Sequence, residues 1–162
     1  LAADVLLMAH SAYLYLPFAP RLGLVPDLGS TWLLPRAAGR ARALGMALLD
    51  ERIDAQRAVA WGLAWDTADG AALRGAALDA ARRLARLPSH AALEMREAFA
   101  RAGTTTLAQQ LAYEADRQRV LLDLPSFDEG VRAFLEKRAP SFAASPAAQI
   151  VVSDEPMREP RP

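Results

Sequence analysis

The sequence predicts an α/β chain with its strands early and its helices late. Three observations carry this: a short continuous apolar run at 5–9, a stretch punctuated by Pro17, Pro20, Gly23 and Pro26, and helical periodicity through the second half. The run at 5–9 follows Asp4 and is too short for a helix, so it is expected as a buried strand. Residues 11–16 are tyrosine-rich and end at Pro17, which predicts a second extended segment. The prolines and Gly23 then mark a loop. Asp27, Gly29, Ser30 and Thr31 lead into a short helix around 32–34, with Asp27 or Ser30 near its N-terminus.

Further along, 39–49 has helix-forming composition, with Ala41, Leu44, Met46 and Leu48 between arginines. Asp54 is an N-cap for a helix over 55–61 that Gly62 ends. Residues 63–67 are expected as a strand or extended link. Leu73, Ala77, Ala80, Ala81 and Leu84 share one side of a helix over 71–87, which Pro88 closes. The helical pattern continues over 91–102 and 107–122, breaks at Pro125 and Ser126, and resumes over 127–138. Prolines, small residues and charges dominate 143–162, which predicts a largely unstructured tail. Trp32, Trp61 and Trp65 are expected in the core. No internal repeat is visible.

The 162 residues, 52% hydrophobic, suffice for an ordinary domain core. A formal net charge of +0 removes the usual electrostatic argument for nucleic acid or an anionic membrane surface. The chain has no cysteine, so it has neither a disulfide framework nor thiolate chemistry, which agrees with a reducing compartment. No run approaches the roughly 18–20 apolar residues that span a bilayer. The chain opens on Leu1 inside an apolar run, so an upstream part is expected. Only one of its 19 basic residues is a lysine, Lys137.

Residues 22–63, LGLVPDLGSTWLLPRAAGRARALGMALLDERIDAQRAVAWGL, resemble the crotonase superfamily, the enoyl-CoA hydratase/isomerase family. That family carries a loop G-(L/I)-x-P-(D/G/E)-x-G-(G/S)-T and a helix with L-P-R. G-R-A-x-A follows, then L-(L/T)-(G/D)-(E/D)-R-I-x-A and a W/A-G-L. All pieces occur here in order. LAADVLLMAHSA resembles the preceding family strand, and SFDEGVRAFLEKRAPSF the C-terminal signature, so the resemblance covers about residues 1–142. GLVPDLGSTWLLPR looks most like the epoxyphenylacetyl-CoA isomerase type, which belongs to phenylacetate degradation.

The resemblance implies a crotonase-like superhelix of ββα turns. This chain would hold its last strands and a mostly helical C-terminal part: residues 1–67 as core with an active-site loop at 17–31, and 68–142 as an oligomerisation region. It implies an acyl-CoA thioester substrate and no cofactor beyond the coenzyme A of that substrate. It also implies a homo-oligomer (trimer or hexamer), a cytoplasmic location, and neither nucleic acid nor membrane as partner. Two backbone N–H groups that stabilise the thioester enolate would lie upstream of Leu1.

Asp27 is the candidate acid/base. Moving a double bond needs a proton removed at one carbon and returned at another, and one carboxyl group can do both. In isomerase-type members the acid after this proline does so; the alternative is a helix cap. Hydratases of the family use two glutamates. One falls upstream of Leu1, and the other falls near Phe18, where no acid occurs between Val5 and Pro26. This favours isomerisation over hydration. Tyr15, Leu16, Phe18 and Leu22 suit either an apolar acyl pocket or the core. Phe134 and Lys137, three apart, are expected on one face of the last helix. The resemblance implies that they reach a neighbouring subunit's CoA, ring near adenine and ammonium on a phosphate. The alternatives are core packing for Phe134 and solvation for Lys137. His10 and His90 lack metal-ligand spacing. Ser30 sits in no Gly-x-Ser-x-Gly elbow. The rival readings are a hydratase, a fragment that only oligomerises or binds acyl-CoA, and another reaction on the same scaffold such as dehalogenation or thioester hydrolysis.

Overall fold

The computed structural model describes residues 2–142; the tail expected at 143–162 lies outside the described residues. The chain divides into two compact units, Leu1–Ala81 and Arg82–Pro162.

The first unit holds all the described strands: β1 (Leu7–Ala9), β2 (Tyr13–Leu14), β3 (Ile53–Asp54) and β4 (Asp66–Ala68). β1 pairs parallel with β4, Leu7 opposite Asp66 and Ala9 opposite Ala68. β2 pairs antiparallel with β3, Leu14 opposite Ile53. A parallel pair needs a long crossover. Helices α1 (Ser30–Ala38), α2 (Arg40–Leu48) and α3 (Ala55–Ala60) supply it. The strands are shorter than the apolar runs predicted them to be. β3 had no sequence signal of its own, since its two residues owe their state to pairing with β2.

The helix boundaries follow local chemistry. Gly39 separates α1 from α2 at φ 83°, ψ 156°, a conformation essentially restricted to glycine. The Asp54 side chain accepts the Arg57 N–H at 2.8 Å and starts α3, as predicted. At the other end, Gly62 N–H donates to Val59 and Leu63 N–H to Ala58, the paired bonds of a left-handed helix stop.

Met8, Leu34, Ala38, Ala43, Met46, Ile53, Ala55, Ala58, Leu63 and Ala64 form the core. Ile53, Ala55 and Ala58 are 0% exposed, so β3 and α3 meet without a gap for solvent. Trp61 packs against this cluster. Trp32 and Trp65 do not: they are 56% and 71% exposed, against the expectation of core tryptophans. The Arg36 guanidinium lies 3.9 Å from the Trp32 ring centre, an arrangement that suits an exposed aromatic.

Helix α4 (Gly70–Leu84) buries none of its residues fully. The second unit begins in the last turn of α4 and holds α5 (Ser89–Ala102), α6 (Leu107–Leu122) and α7 (Pro125–Leu135). Thr106 and Gln109 form a reciprocal capping box at the start of α6. Arg117 on α6 grips both carboxylate oxygens of Glu94 on α5, at 2.9 and 2.5 Å. His90 Nε2 lies 2.9 Å from Ser126 Oγ, so the first turns of α5 and α7 share a buried polar contact. Pro125 does not break the helix but begins it, where its missing N–H costs no hydrogen bond.

Candidate functional site

Asp27 sits on the turn that launches α1. Its carbonyl accepts the Ser30 N–H at 3.0 Å. The two residues between them are both left-handed, Leu28 at φ 50° and Gly29 at φ 77°. Gly29, not Asp27 or Ser30, is the N-cap, and no side chain caps this helix. Asp27 is exposed, and its carboxylate has no hydrogen bond or ion pair to any described residue. Leu28 is 95% exposed, although leucine disfavours both a positive φ and contact with water. Strain of this kind is concentrated at functional sites.

The stretch leading to Asp27 is not the plain loop that its prolines predicted. Phe18–Leu22 forms one wide π-helical turn after Pro17. The Leu24 N–H closes it by donating to the Phe18 carbonyl at 3.0 Å. Proline is tolerated in such a turn because the first N–H groups lack partners anyway. Of the pocket candidates, Leu16 packs against the core cluster, Phe18 is half-buried and Leu22 is 61% exposed. Leu16, Phe18, Leu22 and Asp27 thus belong to one continuous segment of the first unit.

A polar cluster that the sequence reading missed holds this segment. Asp50, left-handed at φ 58°, follows α2. One of its carboxylate oxygens accepts the Tyr15 hydroxyl, and the other meets Arg21 Nη2 at 2.5 Å. The Arg21 guanidinium first, and the Tyr15 hydroxyl second, hold the Asp50 carboxyl below its ordinary range. The Arg52 guanidinium covers the rings of Tyr13 and Tyr15, 4.5 and 5.4 Å from their centres. The available signal was the aspartate in the L-L-D-E-R-I stretch, since aspartate is one of the few residues that tolerates a left-handed backbone.

Phe134 and Lys137 lie in the second unit. The expectation that they share a helix face is not met, because α7 ends at Leu135. Lys137 N–H donates to the Phe134 carbonyl at 3.2 Å and Arg138 N–H to Ala133 at 3.0 Å, which terminates the helix. Lys137 occupies the left-handed position of that stop, at φ 55°, where glycine is the usual residue. Phe134 is 82% exposed, so it is no core residue of this chain. His10 is exposed and bonds Asp69 at 3.0 Å. Among the described residues no cluster of His, Cys, Asp or Glu could hold a metal, and no helix is long and apolar enough to cross a membrane.

An α/β core, an acid after a proline on a strained turn, and a helical second half together define the class. Residues 1–145 match the model of the enoyl-CoA hydratase/isomerase family, and the chain belongs to that family. It is 44% identical over 142 residues to the 1,2-epoxyphenylacetyl-CoA isomerase of Escherichia coli K12, an alignment covering 88% of this chain and 54% of that protein. It is 45% identical over 142 residues to a "probable enoyl-CoA hydratase" of Rhodobacter capsulatus, covering 88% and 55% respectively. The structure superposes with a TM-score of 0.81 on an enoyl-CoA hydratase from Polaromonas sp. JS666, at 34% identity over 86% of this chain and 54% of that one. The fold is therefore the mostly helical C-terminal portion of a crotonase α/β fold. The chain spans about half the length of these relatives.

Proposed function

We propose that this chain supplies the proton-transfer group of an enoyl-CoA isomerase, with Asp27 moving the proton. The observation that carries the reading is the unengaged, exposed carboxylate on a turn whose neighbours are held left-handed. A carboxylate spent on a cap or an ion pair would be a poor base; this one is free for substrate. It would take a proton from one carbon of the acyl chain, leave an enolate on the thioester, and return the proton at another carbon. Backbone N–H donors for that enolate oxygen, worth roughly 3–4 kcal/mol each, would come from upstream of Leu1. Leu16, Phe18 and Leu22 would face the acyl group. Phe134 and Lys137 would meet the adenine and a phosphate of CoA held by a neighbouring copy in a trimer or hexamer. The exposure of Phe134 supports that role. A cytoplasmic enzyme with no cofactor beyond its substrate's CoA is the matching expectation. The Escherichia coli relative, named as an isomerase of a CoA thioester, supports the isomerase arm.

The Rhodobacter capsulatus relative, named as a hydratase, favours a second reading. Hydration would need a second acid, and Phe18 stands where the family's glutamate is expected. The test supplies 3-enoyl-CoA and 2-enoyl-CoA separately and weighs the products. An isobaric product that disappears in Asp27→Asn supports isomerisation. A product heavier by one water makes the protein a hydratase. Binding of CoA without any product reduces the chain to a binding module.

A further inference from the structure

We propose that Asp50 is a positioning residue, whose grip on Tyr15 and Arg21 fixes the segment that presents Asp27; this rests on Asp27 being the proton-transfer group. Residues 25–28 have no hydrogen bond to the rest of the described fold beyond the turn from Asp27 to Ser30. Leu24, Val25 and Leu28 are all exposed, so packing does not hold them either. The segment is therefore located by its two ends. The far end is α1, whose Leu34 and Ala38 are in the core. The near end is the π-helical turn, which lies against α2 with Phe18 half-buried but buries none of its residues fully. Its side-chain tether is Arg21, on Asp50 Oδ2 at 2.5 Å.

The tether uses both carboxylate oxygens. Tyr15 takes Oδ1, so the chain is clamped on either side of Pro17 by one group that follows α2. Asp50 is itself fixed, because α2 contributes Ala43 and Met46 to the core and Ile53 follows three residues later. Arg52 lies over the Tyr15 ring and so steadies the second donor. Asp50 does all this from a left-handed backbone, where glycine would meet no strain. Aspartate tolerates this turn but glycine suits it better; what the carboxylate adds is the bond from Tyr15 and the ion pair with Arg21. A displacement of about 1 Å at a reacting group is enough to cost on the order of 100-fold in rate. A clamp on the approach to Asp27 is thus a means of setting kcat without touching substrate.

The test uses Asp50→Gly, which keeps the left-handed turn and deletes the tether, and Arg21→Gln, which deletes it from the other side. Amide hydrogen exchange followed by mass is read on the full chain. The expected result is exchange at least about tenfold faster at the hydrogen-bonded amides of Arg21, Gly23 and Leu24 in both variants, with α2 and α3 unchanged. Unchanged protection of these three amides in both variants overturns the proposal. So does an equal loss of protection throughout the first unit, which would make Asp50 a general fold residue. The activity arm expects kcat to fall by about 10- to 100-fold in Asp50→Gly with KM little changed, and no further loss when it is combined with Asp27→Asn. An unaltered kcat in Asp50→Gly, where Asp27→Asn is inactive, also overturns it. If Asp27→Asn itself leaves isomerisation intact, the proton-transfer reading has failed, and the exchange experiment alone judges whether the tether exists.

Discussion

Arg138 reaches back to grip Glu129 through both carboxylate oxygens, at 2.6 and 3.0 Å, across the end of α7. The Ser141 N–H adds a third donor at 2.8 Å. Arg138 first, and the Ser141 N–H second, bring the Glu129 carboxyl from 4.5 down to about 2. A carboxyl depressed on folding stabilises the fold above its unfolded value and loses that contribution as pH falls through its folded value. The contribution is therefore whole above pH 4.5 and fades from there to about 2. Thermal unfolding of Glu129→Gln should lie below that of the parent at neutral pH, and the gap should close over this window.

Lys137 predicts opposed effects on stability and binding. It holds the left-handed position of the helix stop, at φ 55°. Lys137→Gly should raise stability by up to about 1 kcal/mol, since glycine pays no Cβ penalty there. If the ammonium meets a CoA phosphate, the same change should weaken CoA binding, measured by calorimetry. Lys137→Arg should keep most of that affinity.

Ile53 gives the core prediction. It is 0% exposed on a two-residue strand that joins β2 to α3. Ile53→Ala should cost about 2–5 kcal/mol in urea unfolding, and the loss should be confined to the first unit.

Asp54 tests helix initiation. Its side chain accepts the Arg57 N–H at 2.8 Å. Asp54→Ala should cost about 1 kcal/mol, and Asp54→Ser should recover most of it.

Asp27→Asn should leave stability nearly untouched, because no described residue is bonded to that carboxylate. Its unfolding curve should overlay the parent's while product formation from 3-enoyl-CoA is lost. A large fall in stability would instead show that the carboxylate has a structural role.

The sequence by itself determined what depends on neighbours in the chain. Asp54 as cap, Gly62 as stop and the bounds of α6 were legible because capping and helical spacing act over three to five residues. The ordered motifs around Asp27 likewise identified the family, since the match to its model spans 1–145. Tertiary structure decided whatever joins residues far apart. β3 exists through its pairing with β2. Asp50 meets Tyr15 and Arg21, and His90 meets Ser126, only after folding brings separate elements together. The exposure of Trp32, Trp65 and Phe134 was illegible for the same reason, because apolar chemistry says what a side chain favours and not which surface remains uncovered. Asp27 needed both: sequence placed an acid after a proline, and folding left its carboxylate unengaged beside the left-handed turn at Leu28 and Gly29.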